Sequence, residues 1–252
     1  MSPNALDSTQ YTAPSIRLYE SVYGEGFVSP GGRKMALELI GKMNLKPDDR
    51  VLDVGCGLGG SAFLMAARFD LFVDGIDLSR NMLAMANRKR VAHGLQERVR
   101  LEYGDCLELD RPGRYDAVYS RDVFLHIRDK ARLFSVLKRS LRPGGLLLFT
   151  DYCCGEQPWH TEFADYVKDR GYCLNTLTEY GRLVSDAGFD QVECIDLSAR
   201  FIQILQSDID RIADLDLAEA ERSKLQLSWL GKLARCQSGD HRWGLITAAS
   251  AL

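Results

Sequence analysis

Asp53 stands immediately before a run of glycines, in V-L-D-V-G-C-G-L-G-G over residues 51–60. Gly55, Gly57, Gly59 and Gly60 let a backbone turn sharply out of a strand and come close to a bound group. The spacing G-x-G-x-x-G leaves a dinucleotide formally open. A carboxylate at the strand end would repel a pyrophosphate and would suit the ammonium of a bound amino acid. Asp77, 24 residues after Asp53, closes a second apolar run and can accept hydrogen bonds from ribose hydroxyls. Gly104-Asp105 closes a third, where a carboxylate or its neighbours can reach an adenine amine.

Residues 119–127, Y-S-R-D-V-F-L-H-I, hold Asp122 and His126 four apart, on one face if the segment is helical. Such a pair suits proton removal from an amine, with the carboxylate fixing the imidazole tautomer or raising its basicity. The alternative is a hydrogen-bonded histidine that closes a loop. Residues 151–172 carry Tyr152, Tyr166, Arg170 and Tyr172. Phenols with a guanidinium suit a phosphate or carboxylate, and aromatic faces suit a methylated ammonium. An ordinary amphipathic helix would show the same spacing. The seven cysteines include no C-x-x-C, and Cys153 and Cys154 look structural. With four scattered histidines they give no metal site, and reduced thiols of a cytoplasm are expected.

The elements that must position these residues alternate. Strands are expected at Arg50–Val54, Leu71–Asp77, Val99–Tyr103, Tyr115–Ser120 and Leu146–Thr150. Helices are expected at Ser61–Phe69, Arg80–His93 and Lys130–Leu141, with Arg142-Pro143-Gly144-Gly145 as a turn. That alternation means a mostly parallel sheet with the ligand-bearing loops on one edge. A short amphipathic helix ending at Gly24 and a second over Arg33–Met43 precede it. Helices are expected over 160–188, a strand at Gln191–Asp196, mainly helix over 200–235, and a final strand at His241–Thr247.

The glycine loop, G-I-D-L, G-D-C and R-P-G-G before a strand, taken in order, resemble the class I S-adenosylmethionine methyltransferases. The resemblance implies an α/β Rossmann-like fold with a mostly parallel seven-stranded sheet, flanking helices and an N-terminal lid. One domain is expected over 1–252: a lid over 1–30, a cofactor-binding core over 46–150, and a substrate-binding and C-terminal part over 151–252. Q-Y-T…I-R-L-Y-E-S-V-Y-G-E-G-F-V-S-P-G-G, with Y-S-R-D-V-F-L-H-I, L-F-T-D-Y-C, F-A-D-Y-V-K-D-R-G-Y and the late R-W-G, is similar to the phosphoethanolamine N-methyltransferase family from Gln10 to about Ile246. Residues 198–228 match it poorly. The resemblance implies that Tyr11 and His126 form a catalytic pair with Asp122 near the substrate amine. It implies phosphate binding by Tyr19, Tyr152, Arg170, Tyr172 and Lys232, with Tyr166 in the same pocket. It places Val28, Ser29, Asp53, Gly55, Gly57, Asp77, Leu78, Asp105, Cys106 and Arg121 at the cofactor site. The cofactor would be S-adenosylmethionine, leaving as S-adenosylhomocysteine, with no metal.

The rest of the composition is that of an ordinary globular chain of 252 residues, 46% hydrophobic and 27% charged, with a net charge of −3. It gives no sign of a nucleic-acid partner. The first residues lack a basic stretch and an apolar stretch, so no signal peptide is expected there, and no apolar run is long enough to span a bilayer. A cytoplasmic monomer acting on a small phosphobase is the expectation. Another small anionic acceptor, such as an aminophosphonate or a prenyl diphosphate, stays open. So does a non-catalytic adenosylmethionine-binding regulator.

Overall fold

The computed structural model describes Asp7 and residues 12–251. Two helices, α1 (Ala13–Tyr23) and α2 (Gly32–Lys42), precede the alternating core. That core runs β1 (Arg50–Val54), α3 (Gly60–Phe69), β2 (Phe72–Asp77), α4 (Arg80–Ala92), β3 (Val99–Tyr103), β4 (Tyr115–Arg121), α5 (Lys130–Ser140) and β5 (Leu141–Cys154). Then come α6 (Thr161–Arg170), α7 (Leu177–Asp186), β6 (Phe189–Asp196), α8 (Ser198–Ala213), α9 (Glu219–Gln237) and β7 (His241–Ser250).

The sheet order is β3-β2-β1-β4-β5-β7-β6, and only β7 runs against its neighbours. Strand alternation divides the apolar residues between two cores. Val51, Val73, Tyr119 and Leu148 face α1, α2, α3, α8 and α9, while Leu52, Val118, Leu147 and Phe149 face α5 and α7. With both faces covered, the central strands read as unbroken apolar runs rather than alternating ones.

The structure refines the sequence expectations in four places. The turn at Arg142–Gly145 lies inside β5. Leu141 pairs with Tyr115 and Leu146 with Ala117, so the residues between bulge out of a ladder that resumes on both sides. The expected strand is therefore extended at both ends, to Leu141–Cys154. The helical stretch over 160–188 breaks after Arg170, where Gly171 takes the left-handed backbone (φ 64°) and Thr176 starts α7 with a reciprocal capping box to Glu179. The stretch over 200–235 likewise divides into α8 and α9. Asp122 and His126 do not share a helical face, because Asp122 adopts φ 56° and Phe124–His126 is a single 3-10 turn. Tyr11 lies outside the described residues, as does most of the expected lid before residue 12.

Candidate active site

The C-terminal ends of β2, β1, β4 and β5 stand side by side, and one cavity opens over them. Three inter-strand spacings set about 14 Å between the first and the last of these ends. Every site residue expected from the sequence, Tyr11 apart, lines this cavity.

On the β1–β2 side, the glycine loop turns back on the end of β2. The N–H groups of Gly55 and Cys56 both donate to the Ile76 carbonyl, at 2.8 and 3.2 Å. Gly57 N–H donates to Asp77 Oδ2, and Ser79 N–H to Asp77 Oδ1, each at 2.7 Å. These bonds hold the Asp77 carboxylate in place and leave it acceptor capacity for a hydroxyl. Asp53, at the end of β1, is 3% exposed and its Oδ2 has no partner. Burial, with the Asp77 charge adding to it and Arg121 opposing, pushes the Asp53 carboxyl up to about 7. A buried carboxyl in that state lacks a cation. Cys106 and Leu78 complete this side, with burial pushing the Cys106 thiol up to about 12. The exposed Asp105 caps the turn at Cys106–Glu108 by accepting from Leu107 N–H at 2.9 Å.

The N-terminal helices are tied to this loop by backbone contacts. Arg121 sits at the end of β4 and donates to the carbonyls of Pro30 and Gly32. It therefore anchors the segment carrying Val28 and Ser29 against the cavity. Glu20 holds the following loop, accepting from Gly26 N–H at 2.7 Å and pairing with Lys89 of α4. A Cβ on Gly60 would lie 2.3 Å from the Gly26 carbonyl oxygen, so this approach requires glycine.

β4 ends between β1 and β5, which puts Asp122 in the middle of the row. Its Oδ1 accepts from the Trp243 indole N–H at 2.7 Å, and its Oδ2 has no partner. Burial raises its pKa. The indole on β7, not His126, is the hydrogen-bond partner of this carboxylate. His126 packs edge-on against Tyr172, with ring centroids 5.3 Å apart. Burial, together with the charges of Lys130 and Arg170, lowers its pKa to about 4. It is thus a neutral imidazole at physiological pH, able to accept a hydrogen bond.

On the β5 side, cations meet aromatic rings. Lys232 Nζ lies 3.4 Å from Tyr152 Oη and 4.9 Å from the centroid of Trp229. Burial, with Arg170 and Arg235 nearby, lowers its pKa to about 8. Arg170 stands 5.8 Å over the Tyr166 ring, which meets Tyr172 edge-on. Tyr19 closes this side from α1, its ring 6.2 Å from Trp229. Sequence reasoning passed over Trp229, Trp243 and Arg235. Helical spacing from Lys232 could have pointed to Arg235 and Trp229, three positions either side of it. Nothing in the sequence pairs Trp243 with Asp122. Among the described residues, no cluster of His, Cys, Asp and Glu could hold a metal ion.

A methyltransferase domain family matches residues 51–145. The phosphoethanolamine N-methyltransferase of Plasmodium falciparum is 32% identical over 96% of this chain and 94% of its own length. The chain belongs to the phosphoethanolamine N-methyltransferase family. The Arabidopsis thaliana phosphoethanolamine N-methyltransferase 1 is 42% identical over 96% of this chain, which spans about half of that relative's length (50%). The solved structure of Haemonchus contortus phosphoethanolamine N-methyltransferase 2, in complex with phosphomonomethylethanolamine and S-adenosylhomocysteine, superposes with a TM-score of 0.94 at 34% identity. That match covers 98% of this chain and 59% of the other. The family thus shares the seven-stranded class I methyltransferase fold seen here.

Proposed function

We propose that this chain transfers methyl groups from S-adenosylmethionine to the amine of phosphoethanolamine, toward phosphocholine. The observation that carries the reading is the composition of this cavity. A buried carboxyl at Asp53 with an unpartnered Oδ2 stands at one side, Lys232 and Arg170 at the other, and Asp122 with His126 in the segment that follows β4 between them. The first side fits the cofactor, because the unpartnered Asp53 Oδ2 needs an ammonium and the fixed Asp77 carboxylate offers acceptors to a ribose diol. Residues Val28, Ser29, Leu78, Asp105 and Cys106 would line the same subsite. The bound cofactor supplies an electrophilic methyl on a sulfonium.

The chain's own residues then have to bind, orient and deprotonate. Lys232, Arg170, Tyr19, Tyr152, Tyr166 and Tyr172 hold the phosphate, which fixes the distance of the amine from the methyl-bearing side. The free Oδ2 of Asp122 meets the substrate ammonium, and the indole of Trp243 keeps Oδ1 aimed. His126, neutral and buried, accepts a hydrogen bond from the amine and orients its lone pair. An imidazole lowered to about 4 is a weak base, so the proton leaves through the Asp122 side of the pair. Tyr11 would bond His126 when residues 1–30 close over the site and exclude water. We read the chain as one catalytic unit, with 46–150 holding the cofactor and 151–252 the phosphobase. It works as a cytoplasmic monomer without nucleic-acid or membrane partners. Among the described residues no helix is long and apolar enough to cross a membrane.

The test is a substitution pair in a methyl-transfer assay. His126→Ala and Tyr11→Phe should each lower kcat by about 100-fold while leaving S-adenosylmethionine affinity within a few-fold. Wild-type turnover in both would remove the proposed pair from the mechanism.

A further inference from the structure

Three cations meet at the phosphate side of the cavity. Arg235 follows Lys232 by one turn of α9 and lines the cavity beside it. Its side chain is 9% exposed, and its guanidinium lies 3.9 Å from the centroid of Tyr166, the ring that Arg170 also approaches. Glu162 accepts from Arg235 Nη1 at 2.8 Å, and that carboxylate is 68% exposed. The Nε of Arg235 is shielded from water without a partner. A guanidinium this deep, beside a second recessed cation, leaves donor capacity and charge that an anion would complete.

The other titratable groups around it do not supply that anion. His241 packs edge-on against Tyr152 at 4.8 Å and is held neutral by burial. Burial pushes the Cys236 thiol up to about 12. Asp208 lies behind Trp229, bonded to its indole, with Arg211 opposing its charge. Asp122 is reserved for the amine. Asp208 also faces Lys232, but Arg211 matches its charge, so Glu162 is left against Arg170, Lys232 and Arg235 and two positive charges remain for the ligand. A phosphate monoester carries close to two negative charges above its second pKa of about 6. A sulfate ester or a phosphodiester carries one.

We propose that Arg235 is a specificity-determining residue that selects a dianionic phosphate monoester over a monoanionic ester at this site; the proposal rests on the reading of the cavity given above. The experiment compares wild type, Arg235→Gln and Arg235→Lys on phosphoethanolamine and on its sulfate ester at pH 7.5, with S-adenosylmethionine affinity as the check on folding. Arg235→Gln should raise KM for phosphoethanolamine about 20-fold, with kcat changed less than about threefold. KM for the sulfate ester should change by less than about threefold, and Arg235→Lys should restore most of the discrimination. Equal losses on the two esters, or an unchanged KM, would overturn the proposal. Should Arg235→Gln fail to fold, the exposed Glu162→Gln gives the reciprocal test. Removing that counter-charge should lower KM for phosphoethanolamine about threefold or more, and an unchanged KM again overturns the assignment. Should the wild type methylate no phosphoethanolamine, the proposed function fails on its own. Calorimetric titration with inorganic phosphate then decides the anion site separately, since binding lost in Arg235→Gln upholds it and equal binding rejects it.

Discussion

Asp53, held near 7, and Lys232, held near 8, give the two sides of the cavity opposite responses to pH. A cationic ligand takes the ionised form of Asp53, so below pH 7 a proton must leave before it binds. Affinity for S-adenosylmethionine should therefore fall about tenfold per unit below pH 7 and level off above it. Asp53→Asn should flatten that profile and weaken binding about 10- to 100-fold at pH 8, measured by calorimetry. A phosphate takes the ammonium form of Lys232, so KM for the phosphobase should rise about tenfold per unit above pH 8. Lys232→Met should raise KM at neutral pH and abolish that alkaline limb. Trp243→Phe removes the indole donor from the shielded Oδ1 of Asp122, at a cost of about 1–3 kcal/mol. Its kcat/KM should drop about tenfold with the acid limb moved to higher pH, and cofactor affinity should stay near wild type. A profile parallel to wild type would mean that the indole only packs.

Elements meet at this site through close backbone approaches, and these respond to the smallest changes. Gly60→Ala would drive a Cβ into the Gly26 carbonyl and push the loop that follows α1 away from the start of α3. Overpacking of this kind costs about 1–3 kcal/mol. We expect a lowered Tm and a weakened S-adenosylmethionine affinity, both read in one thermal-shift titration, whereas an unchanged affinity would uncouple α1 from the cofactor side. The alternating core was legible because short apolar runs and glycine turns are local signals, and β1, β3 and α3 begin or end within a residue of their expected limits. The bulge in β5 was not, because it depends on pairing with β4 across the sheet. The cavity residues could be named because they sit at strand ends or in motifs. The contact between Asp122 and Trp243 could not, because it joins residues 121 positions apart, one just past β4 and the other on β7. Asp122 and His126 would share a face only on a helix, and the left-handed backbone at Asp122 with the 3-10 turn after it is not one.

At the scale of the whole molecule, buried ionisable groups set a stability profile that a ligand should change. Asp53 and Asp151 are both raised by burial, so their contribution to folding is full below the unfolded value near 3.8 and is lost as pH rises through the folded values. His126 is lowered, so its contribution is full above about 6.5 and is lost as pH falls toward 4. From pH 6.5 to 8.5 the carboxyls dominate, and the Tm of the ligand-free protein should fall by about 2–8 °C. Saturating S-adenosylmethionine, by pairing the Asp53 carboxylate, should reduce that fall. An equal slope with and without ligand would remove Asp53 from the cofactor site. The chain spans about half the length of its plant relatives and nearly all of the Plasmodium one, and its cavity draws on α1, the sheet edge and α9 together. The proposed function predicts methyl transfer by the 252-residue chain on its own. The most direct test is mass spectrometry of the purified chain incubated with S-adenosylmethionine and phosphoethanolamine. Stepwise addition of methyl groups ending at phosphocholine is the predicted result; no methylated product, with S-adenosylmethionine still bound, would contradict the proposed function.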